Sequence, residues 1–254
     1  MINDKIRIED ININYIQYGS GKINMVLLHG WGQNIKMMMP IANAFKSIFK
    51  ITIIDLPGFG SSDEPKEVLT ITDYADIIHK LLNKLKIENP ILVGHSFGGR
   101  ISIAYASKYP VRKLILLASP FEKRQKSPSF KQKCLKVMKK IPILNKLELW
   151  AKNHFGSEDY RNASPMMRKI LVQTVNTDLT KEASQIKVPT LIIQGDNDTA
   201  VSLEEAKKLN SIIKDSELVI YENKTHYAYL EDINKTISVL DKFLYKESRE
   251  ENEN

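Results

Sequence analysis

Residues 90–99 read PILVGHSFGG, a short aliphatic run that stops at a serine fenced by glycines. Apolar runs of this length, rich in Ile, Leu and Val, predict a strand buried on both faces of a sheet. The residues that follow, RISIAYASKY, carry the spacing of a helix. A small hydroxyl at the junction has a clear physical use. A sharp strand-to-helix turn projects the Ser96 Oγ outward, provided that the neighbours two residues away, Gly94 and Gly98, are small. A helix that starts there also offers free N–H groups and the positive end of its dipole, both suited to an oxyanion.

Working outward, the strand pattern recurs in NINYIQYG, INMVLLHG, KITIIDL, VRKLILLA, TLIIQG and ELVIYEN, each ending in turn chemistry. Helical spacing fills the intervals at residues 37–49, 72–85, 98–108, 202–212 and 233–244. Alternation of this kind predicts an α/β fold with a mostly parallel central sheet flanked by helices. It breaks once, between Pro120 and Pro189, where helices can be drawn but no strand. Ser127-Pro128 and Ser164-Pro165 there each offer a capping hydroxyl followed by a proline suited to a first turn. The expected organisation is a core from 1–119 and 188–246, a helical lid at 120–187 and a polar tail at 247–254.

The 254 residues fit one α/β domain. The longest apolar runs, Met25 to Leu28 and Leu114 to Ala118, fall far short of the roughly 20 residues that span a bilayer. The first residues, MINDKIRIEDININ, lack the basic start and apolar centre of a signal peptide, so a cytoplasmic location is expected. The lone Cys134 excludes an intramolecular disulfide. The net charge of +7 is concentrated between Glu122 and Lys140, where eight basic residues face one acid. No aromatic-interleaved basic groove or zinc spacing accompanies it, and nucleic-acid binding is not expected.

Serine at its ordinary pKa is a poor nucleophile and needs a base oriented by a carboxylate. Asp196-Asn197-Asp198 follows the strand TLIIQG, and Lys224-Thr225-His226 follows ELVIYEN. Both lie at the carboxyl edge of a parallel sheet, where functional groups gather. Either aspartate could serve His226. An oxyanion also needs two donors. The glycine-flanked HGWG at 29–32 can turn the Trp31 N–H toward the serine, with the Phe97 N–H as its partner.

HGWGQN, DLPGFGSSD, GHSFGG, GDNDTAV and THYAYLED, in this order, resemble the α/β-hydrolase fold serine hydrolases along nearly the whole chain. The resemblance implies Ser96 as nucleophile, Asp198 as acid through the spacing G-x-x-D, and His226 as base. It also implies Trp31 and Phe97 as oxyanion donors, and residues from Pro120 to about Lys187 as a lid, with no cofactor and no metal. HGWG with DLPGFGSS is similar to carboxylesterases that cleave pimeloyl-carrier-protein methyl ester. Serine at the elbow, where dehalogenases and epoxide hydrolases of this fold carry aspartate, favours acyl transfer. The expected function is hydrolysis of a carboxylic ester through an acyl-enzyme. The alternatives are a carbon–carbon bond hydrolase or perhydrolase of the same fold, or a non-hydrolytic ligand-binding member.

Other residues carry weaker signals. His29 and His95 flank functional backbone and are expected to frame loops by hydrogen bonding. His79 is expected on an exposed helix face, and His154 has no partner at metal-ligand spacing. Gly58-Phe59-Gly60 lacks the remaining features of a phosphate loop and is expected to be a turn near the catalytic face. Arg100, one turn past Ser96, could meet an anionic substrate or form a structural salt bridge. The methionines at 37–39 and 166–167 could line an acyl pocket or fill the core. From Pro128 a basic amphipathic helix can be drawn, with Phe130, Cys134, Val137, Met138 and Ile141 on one face. Its basic face is either solvated or docks an anionic partner, such as an acyl carrier protein or an acidic lipid surface.

Overall fold

The structure is a computed structural model that describes residues 2–123 and 158–245. Its strands are β1 (Ile2–Ile8), β2 (Ile11–Tyr18), β3 (Asn24–Leu28), β4 (Lys50–Ile54), β5 (Ile91–His95), β6 (Lys113–Leu117), β7 (Thr190–Gly195) and β8 (Ser216–Tyr221). They form one sheet in the order β1-β2-β4-β3-β5-β6-β7-β8. β1 and β2 run antiparallel to their neighbours, and every pairing from β4 to β8 is parallel. The PILVGHS strand is therefore central, with β3 on one side and β6 on the other.

The helices are α1 (Met39–Phe45), α2 (Ile71–Lys84), α3 (Phe97–Lys108), α4 (Glu158–Asn162), α5 (Pro165–Val175), α6 (Thr180–Gln185), α7 (Leu203–Ile212), α8 (Ala228–Glu231) and α9 (Ile233–Phe243). Alternate residues of each central strand feed two apolar layers. Val26, Leu28, Leu92, Leu114 and Ile192 pack with α2, α3, α6 and α7. Met25, Leu27, Val93, Ile115 and Ile193 pack with α1 and α9. Each such side chain contributes about 1.5–3 kcal/mol when fully buried. This two-sided burial explains why the central strands read as unbroken apolar runs.

Local chemistry sets several helix starts. Thr70 and Asp73 form a reciprocal capping box at α2, in which the Thr70 Oγ1 accepts from Asp73 N (3.1 Å) and Asp73 Oδ2 accepts from Thr70 N (2.8 Å). Ser164 caps α5 through Met167 N, with Pro165 in the first turn as expected. No strand interrupts the described residues between Pro120 and Pro189, where α4, α5 and α6 stand. Ser127-Pro128, Cys134, His154 and the basic helix lie outside the described residues.

One element departs from expectation. The segment Ile2–Ile8 forms β1, although its charges and scattered isoleucines carry no strand pattern. Most of it is exposed, and pairing with β2 (Ile2↔Gln17 to Ile8↔Ile11) makes it a strand. Charged residues along such an edge also discourage pairing with other chains.

Asp55, at the end of β4, joins the loops that approach the central strands. Its carboxylate accepts from Asn14 Nδ2 (2.9 Å), Ile35 N (2.8 Å) and Ser61 N (2.8 Å). Replacing it leaves the buried Ile35 N–H without an acceptor, a loss of about 1–3 kcal/mol for that group alone. Asp55→Ala is expected to lower the unfolding free energy by about 2–3 kcal/mol in urea titration. A change within about 0.5 kcal/mol, the scatter of neutral surface substitutions, would contradict this role.

Candidate active site

β5 ends at His95, and Ser96 turns the chain into α3 with φ 51 and ψ −108. That is left-handed backbone for a residue with a side chain, a conformation that costs of order 1–3 kcal/mol. The turn is held from both sides, since Ser96 N donates to Leu117 O (2.9 Å) and Gly98 N to His29 O (3.1 Å). The fencing glycines are steric requirements. A Cβ on Gly94 would lie 2.4 Å from Ser102 Oγ, and one on Gly98 would lie 2.4 Å from Leu28 O.

His226, in the loop after β8, meets Asp198, in the loop after β7, with Nδ1 and Oδ2 2.7 Å apart. A carboxylate only accepts, so Nδ1 carries the proton and Nε2 is left unprotonated. Asp198 is buried, whereas Asp196 is exposed. The two aspartates are thereby told apart by geometry. Asp198 also accepts from Gln194 Nε2 (3.0 Å), Ala200 N (2.7 Å) and Val201 N (3.0 Å). Burial pushes its pKa up, but the His226 contacts and the two amides outweigh that and hold the carboxyl below its usual range.

Ser96, Asp198, His226, Trp31 and Phe97 all line one cavity of about 620 Å³. Among the described residues, no hydrogen bond joins Ser96 Oγ to the His226 ring, and neither the Trp31 N–H nor the Phe97 N–H has an acceptor. The Phe97 N–H is free because it opens α3, where the first amides have no intrahelical partner. The Trp31 ring packs edge-on against Phe59 (4.9 Å) and Phe97 (5.1 Å), and this fixes the HGWG segment over the elbow. Gly58-Phe59-Gly60 is thus the turn expected beside this face. Leu171, Thr174 and Val175 of α5 also line the cavity.

His29 frames a loop as expected, with Nδ1 donating to Gly30 O (2.7 Å) and Nε2 accepting from Leu56 N (3.0 Å). Burial lowers its pKa to about 4. His95 is also fully buried, and burial, followed by the neighbouring His226, lowers it to about 3. Met38 and Met167 are core residues, so packing accounts for them. His79 is half-buried, stacked flat on Tyr109 at 3.7 Å, rather than exposed. Among the described residues, no three His, Cys, Asp or Glu side chains converge as a metal site requires.

Arg100 lines the same cavity as Ser96, and its other expectation, a structural salt bridge, is not met. It is 3% exposed and has no carboxylate within salt-bridge distance among the described residues. Its Nη1 donates to Glu122 O (3.3 Å) and its Nη2 to Thr177 O. The guanidinium therefore ties residues 120–123 to the end of α5, where Leu179 N also donates to Phe121 O (2.8 Å). Sequence reasoning missed Gln33 and Gln194. Gln194 had a signal, as the one amide in an otherwise apolar strand, four residues before Asp198. Gln33 had only its place in HGWGQN.

Residues 23–143 match the alpha/beta hydrolase fold family, and residues 161–254 match a family described as TAP-like protein. An AB hydrolase superfamily protein of Bacillus subtilis is 32% identical over 246 residues, covering 86% of this chain and 90% of that protein. A proline iminopeptidase of Saccharolobus solfataricus is 30% identical, with 94% and 90% covered. A pimeloyl-[acyl-carrier protein] methyl ester esterase of Hamiltonella defensa is 26% identical, with 92% and 98% covered. With the sheet order and the elbow, these likenesses define an α/β-hydrolase. The chain belongs to that family, and its relatives include esterases.

The two buried imidazoles make stability depend on pH. Both stay neutral in the folded protein, whereas an unfolded histidine titrates near 6.5. Their contribution is whole above pH 6.5 and is lost as the pH falls toward about 4 for His29 and about 3 for His95. Asp198 acts in a lower window, with its contribution whole above the ordinary value of 3.8. Between pH 6 and 4.5 the unfolding free energy should fall by about 1.4 kcal/mol per pH unit for each ring. Urea midpoints across this range measure it, and a flat profile would contradict two neutral buried rings.

Proposed function

We propose that the protein hydrolyses a carboxylic ester through an acyl-enzyme, with Ser96 as nucleophile, His226 as base and Asp198 as its orienting acid. The observation that carries this is the Asp198–His226 hydrogen bond at a cavity that Ser96 also lines. His226 Nε2 takes the Ser96 proton as Oγ attacks the acyl carbon, once substrate closes the gap left in the free enzyme. The Trp31 and Phe97 amides receive the oxyanion, a contribution of about 3–4 kcal/mol per donor by precedent. The imidazolium then protonates the leaving alcohol. Water, deprotonated by His226, releases the acid, and Asp198 stabilises the imidazolium in both halves.

Residues 120–187 act in this reading as the lid, supported by the cavity wall that α5 supplies and by the neck that Arg100 ties down. The basic stretch within 120–187 is the proposed contact for an anionic partner such as an acyl carrier protein. It lies largely outside the described residues, so its support is the charge pattern together with the esterase relatives named for carrier-bound substrate.

Ser96→Ala is expected to lower ester turnover by about 10⁴-fold or more and to abolish labelling by a fluorophosphonate. Substantial surviving turnover would refute Ser96 as nucleophile. A panel of esters of graded acyl length, run beside a prolyl amide, separates esterase from peptidase action. Charge reversal at Lys133, Lys136 and Lys140 should weaken action on a carrier-bound ester and spare a small neutral one. Equal effects on both would remove the docking role.

A further inference from the structure

His95 immediately precedes Ser96, and both of its ring nitrogens face oxygen. Nδ1 lies 3.2 Å from Gln33 Oε1, and Nε2 lies 3.2 Å from the main-chain oxygen of His226. The Gln33 amide cannot simply be turned over to relieve this. Its Oε1 already accepts from Gly30 N (3.0 Å), and its Nε2 donates to Tyr227 Oη (3.2 Å). A neutral imidazole has one N–H and can satisfy only one of the two oxygens. The Gln33 oxygen already has a donor, while among the described residues the His226 carbonyl has no other. A carbonyl in a partly buried site is costly to leave unpaired, and this puts the proton on Nε2.

We infer that His95, with its proton on Nε2, is a positioning residue for the proposed reaction, holding the main chain of the base through the His226 carbonyl. The inference rests on the hydrolase reading above. Asp198 restrains the His226 ring at Nδ1, but the ring's aim also depends on the backbone that carries it. The contact from His95 supplies that second restraint. It starts from the residue next to the nucleophile, so the path from Ser96 to the base runs through one peptide unit, one imidazole and one hydrogen bond. The rings of His226 (5.0 Å), Tyr227 (5.5 Å) and Tyr229 (4.8 Å) surround the imidazole and keep it in place. Gln33 is the looser partner, fixed instead by Gly30 and Tyr227.

Two variants and one spectrum test this. His95→Phe keeps a ring and loses the donor, and His95→Gln places an amide N–H near the position of Nε2. The Phe variant is expected to lose about 10- to 100-fold in kcat, with KM within about twofold and fluorophosphonate labelling slowed in proportion. The Gln variant should recover most of that loss. A Phe variant with the thermal midpoint and the kcat of the wild type would overturn the inference, as would equal losses in both variants. Long-range nitrogen–proton correlation spectra of the wild type with ¹⁵N-histidine read the tautomer without any turnover. The Nε2–H form is expected, and an active wild type showing the Nδ1–H form overturns the inference alone. A wild type inert toward both esters and fluorophosphonate overturns the hydrolase reading instead, whichever tautomer is found.

Discussion

A serine held at φ 51 where a fully buried strand meets a helix is the constraint on which the rest of the structure depends. The conformation costs free energy locally, and it persists because everything around it is over-determined. β5 is clamped between β3 and β6 and covered on both faces, so the carboxyl end of the strand cannot shift. The helix behind cannot retreat either, since Gly98 lies against the backbone of Leu28 and His29. Relaxing the turn would mean moving the core.

The polar groups around that turn are arranged so that few of them compete with a substrate. Asp198 spends its lone pairs on His226, on Gln194 and on two amides of its own loop. His29 uses both ring nitrogens to fix the loops after β3 and β4. Arg100, one turn along α3, uses its charge on the main-chain carbonyls of the 120–123 neck and of Thr177. Among the described residues, the N–H groups at Trp31 and Phe97, the Ser96 hydroxyl and the Nε2 of His226 stay uncommitted at the cavity, and the buried Arg100 Nε and Gln194 Oε1 also lack partners. An inventory of this kind suits a reaction in which charge appears and disappears at one oxygen.

Much of this was legible because the signals are local. An aliphatic run ending in glycine, histidine, serine and glycine fixes a strand, a turn and a helix within ten residues. Ser164-Pro165 fixes a helix start in the same way. Signals failed where a residue's role is set by a distant partner. β1 is a strand only because β2 lies beside it, and Gln33 gains its importance from His95 and Tyr227, far away in sequence. Arg100 could be placed near Ser96 but not assigned a partner, because its acceptors are backbone oxygens and no side chain announces them.

The sequence by itself determined the class of fold, the central strands and the residue types that could share one reaction, because burial on both faces and steep turn requirements leave direct marks on composition. Only the tertiary structure decided which of two aspartates meets the histidine, what the buried arginine holds, and that one imidazole lies between the end of β5 and the loop of His226. Those choices depend on distances between segments far apart along the chain, and neither periodicity nor spacing encodes a distance across the sheet.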